Sequence, residues 1–223
     1  MREALDKNKL KAVYNRVAHR YDRQHAFLTA KSDQRGRVIL VDRAVNPGDK
    51  VLDCGAGTGS TALLAARKTG QSGKVVLFDL SEGMLAVARR RFAQAALNDR
   101  VEFKTGDMLE LPFEDNSFDS VLSTYSLCPV YDPAKGAMEL FRVVRAGGRI
   151  GVAHSAEPDT VFTKWLADLV ENLVWLIPGI SLGCRSVSVM PTLEQAGCRI
   201  IFKQQIGIPL WPFLVFVAEK PAA

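Results

Sequence analysis

A carboxylate directly before a glycine-rich turn constrains this chain more than any other feature. Residues 51–59 read Val-Leu-Asp-Cys-Gly-Ala-Gly-Thr-Gly, an apolar run that ends at Asp53 and leads through glycines into a helix-forming stretch. Glycines there permit a tight turn and let a ligand approach the backbone closely. The pattern predicts a strand, a turn and a helix, with a ligand site at the turn.

The charge at this turn indicates which ligand it suits. A helix N-terminus attracts phosphate, but a fixed negative charge beside it repels a pyrophosphate. Asp53 therefore favours a cationic ligand group, and S-adenosylmethionine carries an ammonium and a sulfonium but no phosphate. The dinucleotide fingerprint also expects a third glycine where this chain has Ser60. Both features disfavour a nicotinamide oxidoreductase.

A second carboxylate follows the next predicted strand. Residues 74–77 read as a buried strand ending at Phe78 and Asp79, about 20 residues beyond the turn. A carboxylate at this place in a parallel sheet holds the ribose hydroxyls of an adenosine cofactor. Asp79 is therefore predicted to accept hydrogen bonds from both hydroxyls.

Strands and helices alternate through the middle of the chain. The spacing of apolar residues and the positions of turn-forming residues predict strands at 50–54, 74–78, 100–104, 117–123 and 149–153. They predict helices at 60–68, 82–96 and 133–144. Two further strands at 199–204 and 213–219, after a helix at 191–196, predict a C-terminal antiparallel hairpin. The fold class is therefore α/β, a Rossmann-like three-layer sandwich around a mostly parallel seven-stranded sheet.

The rest of the chain is expected to cover this core within one domain, because 223 residues suit one sizeable α/β core. We divide the domain into an N-terminal helical cap (1–45, with helices at 5–25 and 35–44), a cofactor-binding core (46–158), a helical lid insertion (159–198) and the hairpin (199–223). An apolar stripe at 162–182 lies in the predicted lid. It suits either core packing or a hydrophobic pocket or membrane interface.

Composition excludes several classes of site and partner. The four cysteines show no C-x-x-C pairing, so neither a zinc site nor a disulfide scaffold is expected, and no metal is predicted. No signal peptide is recognised at residues 1–11, and the apolar run 173–182 is too short to span a bilayer. These features predict a cytoplasmic protein, with peripheral membrane contact left open. The oligomeric state cannot be inferred.

The positive charge is concentrated near the N-terminus. Residues 1–50 hold 12 Lys or Arg against 6 Asp or Glu, whereas residues 51–223 hold 17 against 18. The excess suits either a solvated helix face or attraction to anionic lipid or substrate phosphate. No basic run interleaved with aromatic residues is present, so a nucleic-acid partner is not expected.

Five stretches together resemble a known family. They are Val-Ala-His-Arg-Tyr-Asp at 17–22, the turn at 53–59, Asp-Leu-Ser-Glu-Gly-Met-Leu at 79–85, Leu-Pro-Phe at 111–113 with Asn-Ser-Phe-Asp at 116–119, and residues 142–149. The chain resembles class I S-adenosylmethionine-dependent methyltransferases, and among them the ubiquinone/menaquinone-biosynthesis C-methyltransferase group. The resemblance covers roughly residues 10–158. It implies S-adenosylmethionine as the cofactor.

The resemblance also implies a set of cofactor-binding residues. Asp53 and the turn would face the methionine moiety, Asp79 would hold the ribose, and Asp107 would accept the exocyclic amine of the adenine. Tyr14 and Tyr21 would cover the methionine end, although helix packing accounts for them equally well. The full implied set is Tyr14, Tyr21, Asp53, Gly55, Ala56, Gly57, Thr58, Gly59, Asp79, Leu80, Met84, Gly106, Asp107, Met108 and Thr124.

The acceptor side is less defined. Residues 126–129 read Ser-Leu-Cys-Pro where the quinone enzymes carry Gly-Leu-Arg-Asn. Methyl transfer mainly requires an aligned nucleophile, and a base if that nucleophile bears a proton. His154, expected at the mouth of the cleft, is the candidate base, and His25 and Tyr125 are candidates for acceptor contacts. For the histidines, a non-catalytic role is the alternative.

The predicted reaction is methyl transfer to a small, lipophilic, quinol-like acceptor. The apolar stripe and the basic N-terminal segment favour such an acceptor over a sugar or an amino acid. Two alternatives stay open: N-methylation of a phospholipid headgroup, and a non-catalytic protein that binds adenosylmethionine.

Overall fold

The computed structural model describes residues 5–23, 32–156, 165, 186–208 and 211–222. The strands are β1 (Lys50–Cys54), β2 (Lys74–Asp79), β3 (Val101–Thr105), β4 (Phe118–Thr124), β5 (Val144–Ser155), β6 (Arg199–Ile208) and β7 (Trp211–Glu219). The helices are α1 (Lys7–Val17), α2 (Ser32–Ala44), α3 (Ser60–Thr69), α4 (Glu82–Gln94), α5 (Pro133–Val143) and α6 (Met190–Gln195), with a 3₁₀ turn at Asn98–Arg100.

The strands form one seven-stranded sheet in the order β3-β2-β1-β4-β5-β7-β6. The first five of these run parallel, and β7 lies antiparallel between β5 and β6. The predicted fold class and C-terminal hairpin are therefore confirmed. The direction of strand order reverses between β1 and β4, and ligands bind beyond the carboxyl ends of strands at such a switch point.

Hydrophobic side chains on the two faces of the sheet build two cores. Alternate strand positions point to opposite faces, so Val51 joins the core under α2, α3 and α4, while Leu52 joins the core under α5 and α6. Leu40 and Phe92 fill the first core, and Leu140 fills the second, each fully buried. Both faces of the sheet are covered, which fixes the carboxyl edge as the free edge for a ligand.

Several predicted boundaries differ from the observed ones. We predicted that the strand after α5 begins at Arg149, but β5 begins at Val144, which pairs with Phe118. The prediction was wrong because Gly147, with φ of +67°, does not end a helix. It bends a strand that has already begun, and its N–H donates to the carbonyl of Lys220.

Other boundaries follow from local caps. The predicted helix 5–25 includes α1, which is capped by Asp6, begins at Lys7 and ends at Val17. The last two strands are longer than predicted, because Gly207 pairs with Pro212 within the hairpin instead of forming the turn. Most of the predicted lid, 159–198, lies outside the described residues. Within the described ranges, no helix is both long and apolar enough to cross a membrane.

One arginine fastens the loop between β3 and β4 to α5. The guanidinium of Arg142 donates to the carbonyls of Leu111 and Phe113 at 2.9 and 2.7 Å. It also donates to the carboxylates of Glu139 and Asp115 at 2.8 Å. Because a planar fork matches several acceptors at once, Arg142 holds residues 111–115 of this loop.

We expect Arg142→Lys to lower the free energy of unfolding by about 1–3 kcal/mol, because a single ammonium cannot reach acceptors on both sides of the loop. Denaturant unfolding measures the loss. Arg145→Lys is the matched control, since Arg145 makes one half-exposed ion pair with Asp119 and should cost under about 1 kcal/mol. Equal losses in the two variants would contradict this role for Arg142.

Candidate active site

The glycine-rich turn is tied to the end of β2 by its own backbone. The N–H groups of Gly55 and Ala56 donate to the carbonyl of Phe78 at 2.8 and 3.0 Å, and the N–H of Gly57 donates to Oδ2 of Asp79 at 2.7 Å. These donors are therefore engaged inside the protein. A phosphate cradle needs such donors free, so the turn fits a ligand without phosphate.

Asp79 lies at the centre of this arrangement. Its second oxygen, Oδ1, accepts from the N–H of Ser81 at 2.8 Å. Burial raises the pKa of Asp79, while the backbone hydrogen bonds from Ser81 and Gly57 oppose that rise. The carboxylate lines the cleft, and each oxygen keeps a further lone pair for a ligand hydroxyl.

The turn needs glycine for conformational and steric reasons. Gly55 and Gly57 have φ of +76° and +55°, in the left-handed region, where a side chain is strained. A Cβ on Gly55 would also collide with the side chain of Ser126. The hydroxyl of Ser126 in turn donates to the carbonyl of Cys54 at 2.9 Å. The turn is thus closed on β4 as well as on β2.

A cleft of about 850 Å³, counting space open to solvent, lies over the turn. The predicted cofactor residues that line it are Tyr14, Tyr21, Gly55, Ala56, Gly57, Thr58, Asp79, Leu80, Met84, Gly106, Asp107, Met108 and Thr124, joined by the acceptor candidate Tyr125. Asp53, Gly59 and His154 are not among the residues lining the cleft.

The end of the cleft beside β3 is formed by Gly106, Asp107 and Met108. Oδ1 of Asp107 accepts from the N–H of Leu109 at 3.0 Å, and Oδ2 lies 3.1 Å from Nζ of Lys7. A Cβ on Gly106 would meet the ring of Phe78 at 2.5 Å. This glycine therefore lets the chain after β3 pass close over β2.

Helix α1 and the residues after it cover one side of the cleft. Oδ1 of Asn15 accepts from Gly83 N at 3.0 Å and from the hydroxyl of Ser81 at 2.6 Å. Asp22 accepts from the hydroxyl of Thr58 at 2.6 Å and from Arg91 at 2.9 Å. These polar contacts attach the N-terminal cap directly to the turn and to α4.

Asp53 is placed differently from its neighbours. Its carboxylate is fully buried, and neither oxygen has a hydrogen-bond partner among the described residues. Burial raises its pKa to about 7, and the positive charge of Arg37 opposes the rise. Asp53 is therefore buried outside the cleft lining, and its assigned contact with the methionine moiety stays a prediction.

Arg37 is a site residue that the sequence reasoning missed. It lies on α2, is 7% exposed and lines the cleft. Its Nη1 donates to Oγ1 of Thr61 at 2.7 Å and to Oγ1 of Thr124 at 2.8 Å. The signal that could have found it is its helical spacing from the apolar residues Leu40, Val41 and Ala44, which are buried on the same helix as Arg37.

Of the three predicted catalytic residues, Tyr125 lines the cleft and His154 does not. Tyr125 follows β4 with φ of +57°, and its ring packs against Phe213 and under the guanidinium of Arg37. His154 is 2% exposed and packs on Phe216, so the expectation that it points to the cleft mouth is not met. Burial lowers its pKa. His25 lies outside the described residues.

Gly36 makes room for Tyr125. A Cβ at this position would collide with the phenolic oxygen of Tyr125 and meet Cδ1 of Ile206 at 3.0 Å. Further residues lining the cleft that we did not predict are Lys7, Leu10, Lys11, Ser60, Phe78, Ser81, Ser126, Pro129, Val130 and Tyr131. The described residues hold no cluster of His, Cys, Asp and Glu fit for a metal ion.

Comparison with known proteins agrees with this geometry. The model of the ubiE/COQ5 methyltransferase family matches residues 2–170. The chain belongs to this family. It is an S-adenosylmethionine-dependent methyltransferase, and the predicted enzyme class and cofactor are confirmed.

Individual relatives and structures extend the comparison. Demethylmenaquinone methyltransferase of Clavibacter sepedonicus is 44% identical over 179 residues, 78% of this chain and 70% of the relative. The ubiquinone/menaquinone biosynthesis C-methyltransferase UbiE of Stenotrophomonas maltophilia (strain R551-3) is 36% identical over 167 residues, 74% of this chain and 66% of the relative. A SAM-dependent methyltransferase of Aquifex aeolicus has a TM-score of 0.62 at 21% identity, covering 96% of this chain and 98% of its own; it shares the fold.

We expect Asp79→Asn to weaken adenosylmethionine binding about tenfold or more, because an amide has one acceptor oxygen where the carboxylate offers two charged ones. Isothermal titration measures the affinity. Asp119→Asn is the matched control: Asp119 also accepts a backbone N–H, that of Lys50 at 2.8 Å, but at the opposite edge of the sheet. Equal affinity loss in both variants would contradict a ligand role for Asp79.

The raised pKa of Asp53 predicts that ionisation of this carboxyl destabilises the folded protein at higher pH. The folded state binds a proton more tightly than the unfolded state, so stability falls as pH rises from the ordinary value of 3.8 toward about 7. We compare the free energy of unfolding of Asp53→Asn with that of the native protein. We expect the difference, variant minus native, to increase by about 2–3 kcal/mol between about pH 5 and pH 8.

Denaturant unfolding at both pH values measures this change. Asp42→Asn is the control, because the pKa of Asp42 is lowered by its hydrogen bond to Lys68 and the carboxylate stays ionised over the whole window. Its stability relative to the native protein should therefore stay constant. A constant difference for Asp53→Asn would show that Asp53 does not titrate there.

Proposed function

We propose that this protein transfers a methyl group from S-adenosylmethionine to a ring carbon of a small, lipophilic, quinol-like acceptor. The observation that carries the proposal is the 44% identity to a demethylmenaquinone methyltransferase over 78% of the chain. The matched family model, over residues 2–170, takes in every described element from α1 to β5. The acceptor named for the relatives is thereby the best candidate here.

The described part of the cleft is compatible with an apolar acceptor. Pro129 and Val130, which follow β4, line the cleft, and so does Tyr131, whose hydroxyl lies 3.5 Å from Oδ2 of Asp107. Tyr125 contributes a buried ring, 4% exposed, beside Arg37. The apolar ring face and prenyl chain of a quinol can pack against such groups.

The residues of this chain would act mainly by placement. When bound, the cofactor supplies an activated methyl group on a sulfonium. Asp79 would hold the ribose and the turn would fix the methionine end. The acceptor carbon must approach the methyl within about 3 Å and in line with the C–S bond. Transfer forms one C–C bond, breaks the C–S bond and releases the ring proton.

His154 was predicted to be the base, but it does not line the cleft. Burial lowers its pKa, which favours the neutral ring and opposes uptake of a proton. Its Nδ1 lies 2.8 Å from the carbonyl of Ser155, and its Nε2 has no hydrogen-bond partner among the described residues. We regard it as a candidate that must be tested separately from the cofactor residues.

We further propose that the protein acts at the cytoplasmic surface of the membrane that contains its lipophilic acceptor. The excess of basic residues in positions 1–50, 12 against 6 acidic ones, supports contact with anionic lipid. In the described structure, Lys7 and Lys11 of this segment lie at the cleft.

The proposal is tested with methyl-labelled adenosylmethionine and 2-prenyl-1,4-naphthoquinol in vesicles, with phosphatidylethanolamine as a competing acceptor. We expect a carbon-methylated naphthoquinol by mass spectrometry, formed faster in anionic than in neutral vesicles. Asp79→Asn should slow it, and Asp119→Asn should not. Label in the phospholipid headgroup would favour the N-methylation alternative, and no labelled product in a protein that binds cofactor would favour a non-catalytic role.

A further inference from the structure

The cleft follows the edge of the sheet, and each part is built by one strand end. Asp107 follows β3, Asp79 ends β2, the glycine-rich turn follows β1 and Thr124 ends β4. The sheet order places these strands side by side as β3-β2-β1-β4. An adenosine held by Asp79 therefore directs its methionine and methyl groups toward the turn and β4.

Arg37 lies at that end of the cleft. It reaches from α2 across the sheet face to Thr124, and its guanidinium stacks over the ring of Tyr125 with 5.1 Å from Cζ to the ring centroid. Its two hydrogen bonds, to Thr61 and Thr124, go to neutral hydroxyls and both leave from Nη1. They orient the group without neutralising its charge.

One carboxylate pairs with Arg37. Oδ2 of Asp33 forms an ion pair with Nε of Arg37 at 3.8 Å. Asp53 influences Arg37 electrostatically but does not line the cleft. A guanidinium has five N–H donors, and the hydrogen bonds to Thr61 and Thr124 use only Nη1, so the donors of Nη2 remain for a ligand.

We infer that Arg37 binds an anionic oxygen at the methyl-transfer end of the cleft. Two oxyanions reach this end: the carboxylate of the cofactor's methionine moiety and the ring oxygen on which a quinol gathers negative charge as its carbon attacks. Buried guanidinium–oxyanion pairs are charge-assisted and strong. The inference rests on the proposed function for the second oxyanion only.

The first arm of the test uses the cofactor alone. Adenosylmethionine and decarboxylated adenosylmethionine are titrated calorimetrically into the native protein, Arg37→Gln and Arg43→Gln. If the carboxylate is the ligand, Arg37→Gln loses about 10- to 100-fold in affinity for adenosylmethionine and little for the decarboxylated analogue. Arg43 is the control because it lies on the same helix but stacks on Phe202, away from the cleft.

The second arm uses 2-prenyl-1,4-naphthoquinol, which has ionisable oxygens, and the corresponding quinone, which has none. If the acceptor oxygen is the ligand, Arg37→Gln lowers kcat/KM for the quinol about 10- to 100-fold while cofactor affinity and inhibition by the quinone are unchanged. The first arm needs no acceptor, so its result stands even if the quinol is not methylated.

The inference is overturned if Arg37→Gln behaves as Arg43→Gln in both arms. It is also overturned if charged and uncharged probes lose affinity equally, since that pattern indicates a purely structural role. Thermal unfolding checks that the variants fold. Should Arg37→Gln fail to fold, Arg37→Lys is used instead, because it keeps the charge but not the planar fork. We then expect a smaller loss of affinity that affects the charged probe more than the uncharged one. Equal losses of affinity for the two probes would count against the inference.

Discussion

The attachment of the glycine-rich turn to the end of β2 is the interaction on which the site depends. Three successive N–H groups of the turn are bound to Phe78 and Asp79. This attachment fixes the turn, places the Asp79 carboxylate at the cleft wall and leaves no helix-start donors pointing outward at those positions. One set of hydrogen bonds therefore both shapes the cleft and disfavours diphosphate ligands.

Buried charge is the second constraint on this end of the sheet. Asp33, Arg37 and Asp53 are each at most 7% exposed. Asp33 and Arg37 form an ion pair at 3.8 Å, whereas Asp53 has no hydrogen-bond partner among the described residues. Burying charges without close pairing costs free energy. Such a cost is common where a protein keeps groups ready for a ligand.

The sheet and the Asp79 position could be predicted because each depends on local pattern: apolar runs, turn residues and a carboxylate at a strand end. Helical spacing groups Arg37 with the apolar residues of α2, but a basic residue on a helix usually faces water, so the spacing alone did not identify it. Its burial depends on how α2 packs on the sheet. The prediction that His154 points to the mouth of the cleft was wrong for a similar reason. Alternation along β5 assigns its side chain to one face of the sheet but does not say which residues cover that face.

Tyr125, whose backbone is left-handed, lines the cleft and places its phenol against Gly36 of α2. Gly36 does not line the cleft, yet a single added methyl group there would collide with the phenol of Tyr125. Either the ring or α2 would have to shift. A residue outside the cleft thus sets the position of one aromatic side chain that lines it.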